Sequence, residues 1–224
     1  MPLSARLQGV LDFVVRRETK VLADIGTDHA FLPIEACRLN VCERAIACDL
    51  NKGPAKIAAR NIESAGLSHR IETRVGDGLQ PLSPGEADCI AICGMGGVRM
   101  WNILKDRQEQ ARLILQPQQN LPEFRNLLTS NGYDILDEQM VLEDSQFYVI
   151  FSAIYAGSNN TAPWTEKECF LGRHLMAKNS DSEMWQLYLS EKRAQIERYI
   201  HVNHEPTREH ATQRLNWIKE EERK

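Results

Sequence analysis

The chain has 224 residues, 42% of them hydrophobic and 26% charged, with a formal net charge of −4. This is the balance of a soluble globular protein with room for one large domain and a small appendage. It excludes a general attraction to polyanions, so any RNA contact must come from a local basic patch. The six cysteines form no C-x-x-C pair and most lie in apolar runs, which predicts reduced thiols packed as small hydrophobes in a cytoplasmic protein. Met1-Pro2-Leu3-Ser4-Ala5-Arg6 has no cationic segment leading into an apolar run. No apolar run reaches membrane-spanning length either, so neither export nor a membrane partner is expected.

Leu3, Leu7, Val10, Leu11 and Val14 recur at helical spacing after Ser4, predicting a first helix packed across a sheet edge. Between residues 21 and 155, short Val- and Ile-rich runs alternate with segments of helical period, the pattern of βα units and a mostly parallel sheet. Strands are expected at 21–26, 44–50, 71–77, 87–93 and 112–116, with helices such as 54–65 and 121–130 between them. Only Glu143-Asp144-Ser145 separates 133–142 from 146–155. That is too little for a parallel crossover, so the last two strands form an antiparallel hairpin. An α/β, Rossmann-like sheet of seven strands that ends this way resembles class I methyltransferases, whereas dinucleotide dehydrogenases continue with parallel units. The small, polar run 157–163 reads as a linker. Beyond it the chain reads as helices, broken near Asn179-Ser180-Asp181 and His204-Glu205-Pro206, with Trp185, Leu189, Ile196 and Ile200 as an apolar seam. Two domains are expected, an α/β domain at 1–157 and a small helical one at 163–224.

Asp24-Ile25-Gly26-Thr27-Asp28-His29-Ala30 leaves the first strand with the acidic-x-Gly start of a methyltransferase cofactor loop. Glycine lets the backbone approach a ligand, and the acid can engage an ammonium or a ribose. The run is not G-x-G-x-x-G, because Asp28 replaces the middle glycine. Its charge opposes a pyrophosphate, which argues against NAD and fits a ligand carrying an ammonium and a sulfonium. Asp49 closes the second strand one βαβ unit downstream, with two acceptor oxygens suited to ribose hydroxyls; the alternative is a cap on the helix near Gly53-Pro54. In Gly76-Asp77-Gly78 the carboxylate can accept from an adenine amino group, and the glycines make a tight turn. Gly94-Met95-Gly96-Gly97 follows the fourth strand, where three glycines can let a flat base approach a methyl donor or simply turn the chain into a helix. Arg99 beside it is placed to reach phosphate. Gln116-Pro117-Gln118-Gln119-Asn120 adds amides at the same edge, either to read a base or to cap the next helix.

Other groupings carry less. His201 and His204 have no nearby Cys to complete a zinc site, so no metal is expected. Cys89 and Cys93 share a strand face by parity and are expected to pack in the core. Arg16-Arg17 with Lys20 reads as a solvated basic cluster.

These residues together resemble the bacterial tRNA adenine-N1 methyltransferases of the TrmK family, which modify adenine 22 in the D-arm region. The resemblance runs through Leu3-Ser4-x-Arg6-Leu7, the stretch from Ala23 through Asp24-Ile25-Gly26-Thr27-Asp28-His29-Ala30 to Phe31-Leu32-Pro33, Asn51-x-Gly53-Pro54, Gly76-Asp77-Gly78-Leu79, Gly94-Met95-Gly96-Gly97, Leu113-Ile114-Leu115-Gln116-Pro117 and Asn131-Gly132-Tyr133. It spans the α/β domain, while the tail is similar in architecture more than in sequence. The resemblance implies S-adenosylmethionine as cofactor and tRNA as partner. Cofactor contacts are then expected at Asp24, Gly26, Thr27, Asp28, His29, Asp49, Leu50, Asp77, Gly78 and Gly94. A wall for the target base or RNA is expected at Met95, Gly96, Gly97, Arg99, Gln116 and Pro117. Asp28, His29 and Asp77 are candidates to orient the base or accept a proton, and the sequence does not choose among them. Thr27, Phe31 and Asp49 stand where the family usually has Ser, commonly Tyr and frequently Glu, and Gln118-Gln119 alters a Gln-Pro-Asn run. Two further readings stay open: methylation of a small molecule or protein, and a non-catalytic Rossmann-like nucleotide-binding module.

Overall fold

The computed structural model describes residues 3–158, 161–179, 182–200 and 205–224. His201 and His204, Ser180 and Asp181 of the first expected tail break, and Asn159 and Asn160 of the expected linker lie outside the described residues. The chain separates into two units, Met1–Pro163 and Trp164–Lys224.

The first unit is built on a seven-stranded sheet: β1 (Thr19–Ile25), β2 (Cys42–Asp49), β3 (Ile71–Val75), β4 (Cys89–Gly96), β5 (Arg112–Gln119), β6 (Tyr133–Glu143) and β7 (Gln146–Tyr155). Their spatial order is β3-β2-β1-β4-β5-β7-β6. The first five strands pair in parallel and β7 lies antiparallel to both β5 and β6. The strand order reverses between β1 and β4, which opens a crevice beyond their carboxyl ends, where α/β sheets bind ligands. Buried Leu22, Ala23, Ile46, Ala47, Ile90, Ala91, Leu113 and Ile114 fill the central strands almost continuously, as expected of a parallel sheet covered on both faces. The β6–β7 connection is tighter than the three-residue spacer in the sequence suggests. Glu143 pairs with Gln146, leaving Asp144 (φ 49°) and Ser145 (φ 62°) as a two-residue turn with both central residues left-handed.

Helices α1 (Ala5–Val15), α2 (Phe31–Arg38), α3 (Lys52–Ser64), α4 (Gly97–Leu104) and α5 (Leu121–Ser130) cover the sheet. The Ser4 hydroxyl accepts from Leu7 N at 3.4 Å and starts α1, whose Val10, Leu11, Phe13 and Val14 are buried against the β5, β6 and β7 side. At its other end, buried Arg112 donates to the carbonyls of Phe13 (2.7 Å) and Val14 (2.9 Å) and to Thr19 Oγ1 (3.2 Å). A guanidinium meeting the free carbonyls of a helix end satisfies both partners and fixes where α1 stops. Arg125 and Glu138 form a buried ion pair at 2.7 Å between α5 and β6.

Two strands differ from the sequence expectation in ways that bear on function. β4 continues past Cys93 to Gly96, and β5 past Gln116 to Gln119, because the two remain paired through register shifts at Cys93/Met95 and Met95/Gly96. Pro117, which cannot donate to a ladder, sits opposite Met95 in this irregular stretch.

The second unit contains α6 (Glu166–Leu171), α7 (Arg173–Asn179), α8 (Glu183–Ile200) and α9 (Glu205–Glu221). Thr165 and Glu168 form a capping box that starts α6. Trp185, Leu189, Leu171, Leu175 and Ile218 are fully buried, and α8 packs along α9. Among the described residues no helix is long and apolar enough to cross a membrane.

Candidate active site

The crevice at the β1/β4 reversal is built by the turns that leave the strands. Gly26 (φ +77°) and Thr27 both donate their N–H to Cys48 O at 2.9 Å, pinning the end of β1 to β2. The chain then passes through Asp28 (φ 50°) and Ala30 (φ 57°) into α2. Two left-handed residues within three fold the loop sharply over the strand end, a conformation Asp tolerates better than most side chains. Asn61 of α3 steadies it by donating to His29 O at 3.0 Å.

Asp24 is buried at the end of β1 and accepts from the Thr27 hydroxyl at 2.7 Å. Burial pushes its carboxyl up to about 6; the Thr27 hydrogen bond partly opposes the shift, and the nearby Asp49 charge adds to it. Asp49 is also buried, and its oxygens accept from Asn51 N at 2.9 Å and, more weakly, Asp28 N at 3.4 Å. Asp49 thus orders the turn before α3 without capping the helix, whose N-cap is Asn51, and lone pairs remain for a ligand.

Two cavities share Gly26, Cys93 and Gly94. The smaller, about 210 Å³, is bounded by Asp49, Leu50, Asp77, Gly78, Met95 and Arg99, among others. The larger, about 1040 Å³, is bounded by Arg6, Asp24, Thr27, Asp28, His29 and Phe31 together with residues of α2 and α3 and with Gln118 and Glu143. His29 and Phe31 stack nearly parallel at its mouth, with ring centroids 5.2 Å apart and an interplanar angle of 14°. His29 Nε2 lies 3.4 Å from Asp28 Oδ2. Gly94 takes φ +75° between the two cavities, and Gly78 takes φ +53° at the edge of the smaller one.

All ten residues expected at the cofactor thus line one or both cavities, as do Met95 and Arg99 from the expected base wall. Gly96, Gly97, Gln116 and Pro117 line neither. Gly97 begins α4 so close to Phe124 that a Cβ would lie 2.7 Å from the Phe124 Cβ, so its smallness serves helix packing. Gln116 and Pro117 are buried because β5 runs through them, and it is Gln118, two residues on, that faces the large cavity. Gln116 instead holds the glycine turn from behind: its Oε1 accepts both Gly94 N at 3.2 Å and Arg6 Nη1 at 2.8 Å. Arg6 is a site residue that the sequence reading quoted only as part of a motif, since nothing in an amphipathic helix start shows that it reaches across to β5. Cys93, expected in the core by strand parity, borders both cavities because it ends the regular stretch of β4 at the edge of the crevice. The cluster Arg16-Arg17-Lys20 lines neither cavity, and Arg16 is held by Asp137 at 2.7 Å and Gln139 at 2.9 Å. Among the described residues no three His, Cys, Asp or Glu side chains gather as a metal site.

Comparison with known proteins agrees with this geometry. A family model described as a methyltransferase domain matches residues 3–151. The chain is 38% identical over 166 residues to the tRNA (adenine(22)-N(1))-methyltransferase of Bacillus subtilis, covering 72% of this chain and 68% of that protein. The crystal structure of the B. subtilis m1A22 tRNA methyltransferase TrmK superposes with a TM-score of 0.83 at 28% identity, covering 98% of each chain. M. capricolum TrmK, solved with the cofactor product S-adenosyl-homocysteine, gives 0.83 at 27% identity over 97% of this chain and 96% of that one. The protein therefore belongs to the methyltransferase-domain superfamily and, within it, to the TrmK family.

Proposed function

We propose that this protein transfers a methyl group from S-adenosylmethionine to N1 of adenine 22 in tRNA. The observation that carries the reading is the pair of cavities meeting at Gly26 and Gly94. The smaller is sized and lined for an adenosyl group, and the larger is roomy enough to admit a second base. The residues fit the cofactor: Asp49 and Asp77 offer carboxylate acceptors to ribose hydroxyls and an adenine amino group, and the buried carboxylate of Asp24 suits an ammonium. The cofactor supplies an electrophilic methyl group when bound.

The protein's own task is positioning. N1 of adenine is neutral and nucleophilic, so no side chain need attack. Holding acceptor and donor in line contributes up to about 7–11 kcal/mol in well-oriented systems. N1 lies on the Watson–Crick edge, so the base must leave its pairing partner, at a cost of a few kcal/mol. The exposed His29–Phe31 stack gives such a base a flat apolar surface at the mouth of the large cavity. Asp28 and His29 stand beside that surface as the groups able to orient the amino group or take up a proton. The reading makes tRNA the partner, with the α/β domain 1–157 as the catalytic domain, and places the protein in the cytoplasm, where tRNA is modified.

The test is transfer of labelled methyl groups to tRNA transcripts. Label should enter a transcript with adenine 22 and produce a primer-extension stop there, and a transcript with guanine 22 should take up none. Equal labelling of both transcripts would overturn the site, and labelling of small molecules alone would overturn the RNA substrate.

A further inference from the structure

Away from the two cavities, Cys37 at the end of α2 and Cys42 at the start of β2 place their sulfurs 3.6 Å apart in the core. The bend between them passes through Asn40 (φ 56°), and one guanidinium ties it together. Arg70 donates to Cys37 O at 2.7 Å, Cys42 O at 2.6 Å, Glu43 O at 2.8 Å and Asn40 Oδ1 at 2.9 Å. The hydrogen bond with Cys42, aided by the Arg70 charge, lowers the Cys37 thiol against the opposing effect of burial, and the same contact raises the Cys42 thiol. A separate cavity of about 510 Å³ at the opposite end of the sheet is lined by Asn40, Val41, Cys42 and Arg70 but not by Cys37, so a small oxidant entering it stands beside Cys42, whose sulfur is 3.6 Å from that of Cys37.

We infer that Cys37 and Cys42 form a reversible disulfide when the protein meets a peroxide. In the first step the Cys37 sulfur attacks a peroxide oxygen, the O–O bond breaks, an alcohol or water leaves with the thiol proton, and Cys37 becomes a sulfenic acid. In the second, Cys42 displaces that oxygen as water and the S–S bond forms. The two thiols together lose two electrons and two protons, and the peroxide is reduced. The sulfurs must approach by about 1.5 Å to reach disulfide length. The move falls on the end of α2, because Cys42 is paired into the sheet with Thr19 of β1. Phe31, Leu32, Ile34, Glu35 and Arg38 of α2 form a wall of the large cavity, so oxidation displaces that wall and slows methyl transfer. This last step rests on the reading of the large cavity as the substrate chamber.

The experiment treats the full chain with hydrogen peroxide and maps it by mass spectrometry without reduction. Trypsin cuts after Arg38, so the disulfide appears as the peptide ending at Arg38 joined to Leu39-Asn40-Val41-Cys42-Glu43-Arg44, and dithiothreitol separates the two. Both thiols remaining free, or ending only as sulfinic or sulfonic acids, would overturn the disulfide. Transfer to tRNA should fall several-fold on oxidation and return on reduction, while Cys42→Ser should keep its activity through the same treatment. Loss of activity in Cys42→Ser would assign the effect to another thiol such as Cys93, and a cross-linked enzyme with full activity would refute the coupling; the peptide linkage is read independently of both. If the untreated protein does not methylate tRNA at all, the proposed function fails, and the disulfide is still decided by the peptides.

Discussion

Arg6 and Gln116, 110 residues apart, meet behind the glycine turn: the guanidinium donates to Gln116 Oε1 at 2.8 Å, and the same oxygen accepts Gly94 N at 3.2 Å. Glu143 holds Arg6 from the other side by accepting its backbone N–H at 2.7 Å. One buried amide thus links α1 to the carboxyl end of β4, and Glu143 ties the same arginine to the last hairpin. Gln116→Leu keeps the approximate volume but strands two donors, at a cost of about 1–3 kcal/mol. The melting temperature should drop by several degrees, and kcat should fall more than cofactor affinity, because Asp49 and Asp77 are untouched. Gln116→Glu retains the acceptor opposite Arg6 and should recover part of both. A Gln116→Leu enzyme with wild-type kcat would show that the turn does not depend on this link.

Asp49→Ala should weaken S-adenosylmethionine binding by about 10- to 100-fold, the loss of one or two hydrogen bonds to a charged acceptor. Asn51 N also loses its 2.9 Å acceptor, so some stability is lost as well. Asp49→Asn separates the effects, since its amide oxygen can still serve Asn51. Titration calorimetry on the three proteins decides the matter, and equal affinities would remove Asp49 from the ribose role.

With Asp24 as the partner of the cofactor's ammonium, cofactor binding should depend on pH. Its carboxyl, ordinarily near 3.8, is pushed up to about 6, chiefly by burial. Between those values the folded ligand-free chain keeps a proton that the unfolded chain has lost. The contribution of Asp24 to stability therefore declines as pH rises through that window, and above it the ionised group is a cost. An ammonium binds the ionised form, so cofactor affinity should rise with pH through about 6 and level off by 7.5. Asp24→Asn should flatten that profile, weaken binding, and raise the melting temperature at neutral pH by about 2–4 °C for each kcal/mol of relieved charge burial. A wild-type affinity that is flat from pH 5 to 8 would contradict the assignment.

Much of the fold was legible because parallel strands and amphipathic helices have distinct periods, and because three residues cannot span a parallel crossover. The acids at strand ends were legible for a related reason, since topology sends those ends to one crevice. The back of the site was hidden. Whether Gln116 faces in or out depends on the strand parity of β5, and its burial depends on β5 continuing beyond it. Cys93 keeps the regular register of β4 and reaches the cavities because it stands at the carboxyl end of that regular stretch, and alternation gives a residue's face but not where along the strand the core gives way to a crevice. Arg6 acts through a contact 110 residues away, which no local pattern records.

Phe31 stands at the mouth of the large cavity, stacked on His29 and 36% exposed. An apolar ring left in water at a site entrance gains most when a base covers it. Phe31→Ala should therefore raise KM for tRNA by the worth of one stacking contact, about 1–3 kcal/mol, while cofactor affinity stays within two-fold. Phe31→Tyr keeps the ring and should stay close to wild type. Steady-state kinetics with tRNA varied at saturating cofactor reads this directly, and an unchanged KM in Phe31→Ala would place the base elsewhere.

Adjacent glycines in the turn should respond in opposite ways. Gly96 has ordinary extended geometry (φ −68°, ψ 145°), and a Cβ there meets nothing within 4 Å. Gly97 is buried, and its Cβ would sit 2.7 Å from the Phe124 Cβ and 3.1 Å from Gln119 O, neither of which is the free end of a side chain. Gly96→Ala should change stability by less than about 0.5 kcal/mol. Gly97→Ala should cost about 1–3 kcal/mol through overpacking. If Gly96 nevertheless borders the incoming base, Gly96→Ala will show normal unfolding but slowed transfer to tRNA, whereas Gly97→Ala should lose stability and activity together as α4 is pushed off α5. Chemical denaturation alongside single-turnover transfer distinguishes the two glycines, and equal stability losses would mean that the turn is held by contacts other than those with Phe124.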